Sequence, residues 1–257
     1  MHQLSLLLIS GLLFQSASAQ QSPPAQNTAN SVVAPGSAAP RPVLSAQERG
    51  DIQMARKMYR EAIETYKQGP ESAALWNKIG IAYHQLTDLN NAQKAYERAV
   101  KMDPMFVAAI NNLGTIYYSK KNYRRAIRQY QRVLKLNPQS ASTMANLGSA
   151  YFARKQYEQA SDAYQKALAL DPEVFESRGG TGTVVQDRTV GDRPMFFYYM
   201  AKNYAKAGRN EQALNYIRKA IEEGFKERKK FTEDPEFSGL QKDPEFQKLM
   251  TLEPKVL

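Results

Sequence analysis

The sequence predicts an all-α fold of stacked helix pairs, because one pattern of residues recurs three times at a spacing of about 34 residues. The first copy consists of Trp76, Ile79, Gly80, Tyr83, Ala92, Tyr96, Ala99 and Pro104. The second copy consists of Ile110, Leu113, Gly114, Tyr117, Ala126, Tyr130, Val133 and Pro138. The third copy consists of Met144, Leu147, Gly148, Tyr151, Ala160, Tyr164, Ala167 and Pro172. A pattern kept in phase over three copies indicates a repeated structural unit.

The residue types at these positions explain how such a unit packs. A glycine recurs in the first predicted helix of each pair, where it costs about 1 kcal/mol relative to alanine. That cost is understandable if the second helix approaches so closely that no side chain fits at the glycine. The recurring alanines on the second helix are then the small residues that face the glycine. Each proline ends one unit and starts the next. A lone pair cannot cover its own apolar face, so the stack itself forms the core.

With this period and these residues, the chain resembles the tetratricopeptide repeat family. The resemblance implies a right-handed superhelical solenoid of helix-turn-helix repeats, which here has an insertion before the last repeat and a C-terminal helical cap. It also implies a protein that binds a protein or peptide, because the repeat carries no chemistry of its own.

The N-terminal residues predict export. Residues 1–19 are interpreted as a secretory signal peptide, with a short apolar run and the small-residue cleavage site Ala17-Ser18-Ala19. The run is too short for a membrane span, so none is expected after cleavage. No Lys or Arg precedes it, and the alternative is the N-terminal hydrophobic tail of a cytoplasmic protein. Residues 20–43 are rich in Pro, Ala and Ser and predict a disordered tether. The expected location is periplasmic or secreted.

The repeats divide the rest of the chain into consecutive units. Residues 44–72 form a degenerate first repeat or N-terminal cap, since Ala55, Tyr59 and Ala62 match second-helix positions with a register that is three residues too long. The predicted units that follow are three regular repeats (73–106, 107–140 and 141–172, together 73–172), an insertion (173–193), a fourth repeat (194–224) and a C-terminal cap (225–252).

Two of these segments have further sequence signals. The insertion contains Gly179-Gly180-Thr181-Gly182 and then Thr183-Val184-Val185, which predicts an ordered excursion such as a small hairpin. The cap contains two near copies, Asp234-Pro235-Glu236-Phe237 and Asp243-Pro244-Glu245-Phe246. Asp as N-cap followed by Pro and Glu is a helix-start signal, so two helices are predicted.

The composition excludes most catalytic chemistry. The chain has no Cys and two His, His2 and His84, which leaves no partners for a histidine metal site or a catalytic triad. The glycine run is not followed by Gly-Lys-Ser/Thr and so is no nucleotide loop. An acid–base cluster of Asp187, Arg188, Asp192 and Arg193 is interpreted as ion pairs that pin the insertion, with a catalytic site as the alternative. We therefore expect no enzyme activity, no cofactor and no metal.

The first helices of successive repeats line a concave groove in this family, and the resemblance implies that a peptide or helix binds there. Amide side chains could bond a peptide backbone, while aromatic rings offer apolar contact area. The groove candidates are Asn77, Lys78, His84, Asn111, Asn112, Tyr118, Asn146, Phe152, Tyr198 and Lys202. The basic clamp of chaperone-tail binders is broken, since Ile81, Ser142 and Asn146 occupy three of its positions.

A basic stripe suggests a second surface. The formal net charge is +10, and no Asp or Glu occurs from Pro104 to Tyr157. The stripe residues are Lys120, Lys121, Arg124, Arg125, Arg128, Arg132 and Lys135. Four of them repeat at i, i+4, i+8 and i+11 on one helix, where like charges repel. They indicate an anionic partner, although a merely solvated face explains them equally well.

These observations favour a non-enzymatic interaction scaffold or adaptor of a bacterial cell envelope that binds a peptide or helix in its groove. The alternative is an adaptor that uses the basic stripe on an anionic envelope polymer, a membrane surface or an acidic protein. Nucleic acid is disfavoured, because no base-stacking aromatics are interleaved with the stripe. Self-association through the repeats is a further possibility.

Overall fold

The computed structural model describes residues 44–176 and 192–252, and the regular elements in those two ranges are helical. The α-helices are α1 Ala46–Ala55, α2 Tyr59–Lys67, α3 Ala73–Gln85, α4 Leu89–Met102, α5 Val107–Ser119, α6 Tyr123–Leu136, α7 Ala141–Ala153, α8 Tyr157–Leu170, α9 Arg193–Lys206, α10 Asn210–Glu222, α11 Lys230–Glu233 and α12 Pro244–Thr251. A 3₁₀ helix, Pro235–Leu240, lies between the last two. The predicted signal peptide, the tether and most of the insertion lie outside the described residues.

The helices pack as consecutive pairs, from α1 with α2 to α9 with α10. The second helix of each pair also contacts the first helix of the next pair, as α4 does with α5 and α6 with α7. This packing confirms the predicted all-α architecture of stacked helix pairs. Of the helices described, none is both long enough and apolar enough to cross a membrane.

The recurring glycines make room for a tyrosine ring of the second helix, not chiefly for the alanines that the sequence suggested. A Cβ atom built on Gly114 would lie 2.6 Å from the ring of Tyr130. The same ring–glycine contact joins Gly80 to Tyr96 and Gly148 to Tyr164. The predicted close approach is therefore confirmed, and its partner is an aromatic side chain.

The first pair makes the same glycine–tyrosine contact as the regular repeats, but its register differs from the predicted one. A Cβ atom on Gly50 would lie 2.3 Å from the ring of Tyr66, which repeats the glycine–tyrosine contact. The second-helix positions are therefore occupied by Ala62 and Tyr66, not by Ala55 and Tyr59. The predicted register was wrong because α2 is short: it has 9 residues where α4 has 14. The residues that α2 lacks would follow Ala62 and Tyr66, so the spacing from this pair to the next is shorter than predicted.

The turns inside the pairs hold non-glycine residues in a left-handed conformation. Thr87, Lys121 and Lys155 have φ values of 59°, 57° and 60°, whereas the last pair, α9 with α10, has Gly208 at the equivalent turn, with φ 71°. A side chain in this region is strained, and a β-branched one more so. The structure thus places the three residues in the turn conformation that glycine adopts most easily.

Replacing Thr87 or Lys121 with glycine is expected to raise the free energy of unfolding by about 0.5–1 kcal/mol each, because glycine relieves the strain at positive φ. Urea denaturation followed by circular dichroism measures the change. As the matched opposite, Gly208→Ala should lower the free energy of unfolding by about the same amount. A loss of stability in Lys121→Gly would contradict this account of the turns.

Both copies in the C-terminal cap begin a helix, as predicted, but the two helices differ in type. Asp243 accepts hydrogen bonds from the backbone N–H groups of Glu245 and Phe246 and so starts α12 as expected. The first copy begins the 3₁₀ helix instead, and Asp234 makes no capping hydrogen bond there. Its carboxylate accepts a hydrogen bond from the hydroxyl of Tyr198 in α9, so a tertiary contact replaces the local one.

Candidate functional site

The first helices α3, α5, α7 and α9 hold all ten groove candidates, but they do not expose them equally. Six are buried, namely Asn77, Asn111, Tyr118, Asn146, Phe152 and Tyr198. Four are partly exposed, namely Lys78, His84, Asn112 and Lys202. The predicted groove is therefore partly filled by the side chains that were expected to line it.

The three aromatic candidates do not offer open contact area, which corrects the expectation from sequence. The exposed fractions of Tyr118, Phe152 and Tyr198 are 4%, 3% and 3%. Tyr118 packs edge-on against Tyr123 at the start of α6, with ring centroids 5.3 Å apart. Phe152 packs in the same way against the first helix of the next pair, where it meets Phe196 at 5.5 Å. These buried rings stabilise the packing of the helices, and they are not accessible to a ligand in the groove.

Three of the four asparagine candidates, Asn77, Asn111 and Asn112, form hydrogen bonds with neighbouring helices. The Nδ2 atom of Asn112 donates to the Oδ1 atom of Asn77 at 3.0 Å, which connects α5 to α3. The Oδ1 atom of Asn111 accepts from the hydroxyl of Thr143 in α7 at 3.4 Å. Buried amides need such partners, because an unsatisfied polar group costs free energy. Their hydrogen-bonding capacity is used, at least in part, between successive repeats.

Lys78 forms an ion pair with Asp51 of the first repeat, with the two nearest atoms 2.6 Å apart. The same carboxylate accepts a hydrogen bond from the hydroxyl of Tyr66 at 2.6 Å. Burial raises the pKa of Asp51, but the hydrogen bonds from Lys78 and Tyr66 outweigh it and leave the pKa below its usual value. Asp51 therefore stays ionised and holds Lys78 against α1.

At α9 the chain's own C-terminal segment covers the first helix. The ammonium group of Lys202 pairs with Asp234 at 3.1 Å and Glu236 at 3.3 Å. The ring of Tyr198 stacks on Phe225 with centroids 4.8 Å apart, and its pKa is raised by burial and by the carboxylate of Asp234. These two candidates are consequently occupied from within the chain.

The accessible part of the first-helix surface lies on α3 and α5. His84 is half-buried, and burial lowers its pKa, so it is neutral near pH 7. Ala108, a position that the sequence reasoning did not single out, is exposed at the start of α5. The sequence could have identified Ala108, because it lies one repeat period of 34 residues before Ser142, and Ser142 occupies a position of the family's peptide clamp. This surface can hold a ligand by contact and by hydrogen bonds.

Of the predicted acid–base cluster, the structure describes Asp192 and Arg193, and each of them has its own partner. Asp192 caps α9 by accepting from the backbone N–H group of Met195 at 3.2 Å. Arg193 pairs with Glu223 of α10 at 2.9 Å. Asp187 and Arg188 lie outside the described residues. Within the described ranges, no group of three or more His, Asp and Glu side chains could hold a metal ion.

The basic stripe is on the surface. Lys120, Lys121, Arg124, Arg125, Arg128 and Lys135 are exposed, and Arg132 is partly exposed. The guanidinium group of Arg125 lies over the ring of Tyr117, 5.6 Å from its centroid. The predicted clustering of cations on one helix is thus present in three dimensions.

Comparisons with known proteins agree with this architecture. A tetratricopeptide repeat family model matches residues 106–173, and a second such model matches residues 73–104. No curated protein matches the chain. Among solved structures, the crystal structure of MamA has a TM-score of 0.50 at 22% identity and covers 68% of this chain and 93% of its own. The MamA RS-1 ArsTM double mutant has a TM-score of 0.51 at 20% identity, with 69% and 92% covered. At these identities the likeness concerns the fold alone.

Proposed function

Residues 73–104 and 106–173 carry tetratricopeptide repeats, and from that premise we propose that the chain is a non-enzymatic interaction scaffold that binds an extended peptide or a helix of a partner protein. The binding surface is the accessible first-helix surface of α3 and α5. The predicted signal peptide supports action outside the cytoplasm, in the periplasm or beyond.

The observation that carries this proposal is the unequal covering of the first helices. On α9, Tyr198 and Lys202 are occupied by the C-terminal segment, whereas His84 and Asn112 remain partly exposed and Ala108 is exposed. A ligand is therefore expected to enter at α3 and α5 and to stop before α9.

The contact between the chain's own 3₁₀ helix and α9 supports the same proposal. It shows that a segment with carboxylates and an aromatic ring is held against a first helix by a lysine, a tyrosine hydroxyl and a tilted contact between aromatic rings. A partner segment is expected to use the same kinds of contact on α3 and α5, where mixed polar and apolar side chains are available.

The test is a selection of binders from a random peptide library, followed by Ala108→Arg and His84→Glu in the full chain. Both changes place a large or charged side chain on the accessible first-helix surface, and we expect peptide affinity to fall about tenfold or more. Isothermal titration calorimetry measures it. Peptides that bind both variants as tightly as the original chain would refute the proposed surface.

A further inference from the structure

The basic face is defined as the stripe on the α5–α6 turn and α6 together with Arg154 and Lys155 of the α7–α8 turn, and its cations form no ion pairs in the part of the chain that the structure describes. Ion pairs occur elsewhere in the described residues, as between Arg98 and Glu71 and between Arg218 and Glu245. Within those residues, no stripe cation and neither turn cation takes part in one. The charges of this face are therefore left for a partner to neutralise.

Neutral acceptors hold two of the cations in place. The ammonium group of Lys120 donates to the side-chain oxygens of Asn90 at 2.9 Å and Gln93 at 2.7 Å. The guanidinium group of Arg132 donates to the backbone carbonyl of Pro104. These contacts fix the positions of the two side chains without cancelling their charge, so less conformational entropy is lost when an anion binds.

Two successive repeats contribute cations to one open depression. It has a volume of about 480 Å³ and is lined by Lys120, Lys121, Asn122, Tyr123, Arg124 and Arg154. Four of the six lining residues carry a positive charge, and the four are exposed. A concave site with this lining suits an anionic side chain that enters it.

The repeat itself does not require these cations. The positions equivalent to Arg124 and Arg128 are occupied by Asn90 and Lys94 in the preceding repeat. In the following repeat they are occupied by Glu158 and Asp162. Since the same helix position accepts neutral, basic and acidic residues, packing does not explain why α6 has arginine at both. A function of the surface explains it better.

We propose that the basic face binds an acidic segment of a partner polypeptide, which lies along α6 and places one carboxylate side chain in the depression. Guanidinium groups pair with carboxylates in a two-pronged geometry, and five of the nine cations on this face are arginines. From Arg124 to Lys135 the helix rises about 17 Å, which an extended segment of about five residues spans.

Two other anionic partners fit the face less well. Single-stranded nucleic acid needs exposed aromatic rings for stacking, but Tyr123 is half-buried against Tyr118. A lipid surface is bound most firmly when apolar side chains insert beside the charges. The lining of the depression contains no aliphatic side chain that could do so.

The test measures binding of the full chain to a fluorescent peptide of about eight glutamates by anisotropy, at about 50 mM and about 300 mM salt. The variant Arg124→Glu/Arg128→Asp introduces the residues that α8 already has at these positions, so its circular dichroism should be unchanged. We expect its affinity to fall at least about tenfold, and the affinity of the original chain to fall steeply with salt.

The matched control is Lys94→Asp/Lys166→Glu, which makes the same change in net charge on exposed lysines of α4 and α8. Its affinity should stay within about twofold of the original, as expected for a local site. An equal loss in the control would overturn the proposal. So would failure to bind the glutamate peptide, whether or not phosphatidylglycerol vesicles or a DNA oligonucleotide bind through Arg124 and Arg128.

Discussion

Gly114→Ala is expected to lower the free energy of unfolding by about 2–3 kcal/mol, although alanine is the better helix former by about 1 kcal/mol. The new methyl group would lie 2.6 Å from the ring of Tyr130, which is fully buried. Chemical denaturation followed by circular dichroism measures the loss. Gly239→Ala is the control, because nothing lies within 4 Å of a Cβ atom at that position.

A double-mutant cycle tests the cause of this loss. In the last pair, α9 with α10, Ala201 and Ile217 stand where the other pairs have glycine and tyrosine, and both are buried. A larger residue on one helix is thus matched by a smaller one on the other. In a Tyr130→Ile background, Gly114→Ala should therefore cost nothing or stabilise slightly. An equal cost in both backgrounds would show that the ring contact is not responsible.

Phe231→Ala is expected to have the largest effect of any single substitution considered, a loss of about 3–5 kcal/mol. The ring of Phe231 is fully buried, and its centroid lies 5.3 Å from that of Phe225 and 5.5 Å from that of Phe237. It also packs on Tyr198 of α9 at 5.7 Å. Its removal leaves a cavity between the cap and the last repeat, whereas Phe231→Leu should cost less than about 1.5 kcal/mol.

The loss should also be local. In a stack of repeats each unit contacts its neighbours, so a damaged cap is expected to open α9 and α10 before the first repeats. Hydrogen exchange should then show lost protection in α9 and α10 and retained protection in α3 to α6. Uniform loss of protection along the chain would indicate that the cap and the repeats unfold as one unit.

The candidate surfaces could be predicted from the sequence to different degrees. The basic stripe was predictable, because residues at i, i+4 and i+8 share one face of a helix wherever that helix packs. The depression on the basic face could not be predicted from the sequence, because it forms only where Arg154 of the next repeat approaches Lys120 and Arg124. The groove candidates lie on the first helices as predicted, but the burial of Tyr118, Phe152 and Tyr198 was not foreseen.

The sequence by itself determined the repeat. The spacing of glycine, tyrosine, alanine and proline defines helix pairs and their boundaries, because these positions report contacts within one unit and its turn. Only the tertiary structure decided three further properties: the register of α1 and α2, the 3₁₀ start of the cap, and the burial of Tyr118, Phe152 and Tyr198. Each depends on contacts between residues of different elements, such as Gly50 with Tyr66, Tyr198 with Asp234 and Phe152 with Phe196. The two elements set the geometry of such a contact together, so the local pattern of one element does not contain it.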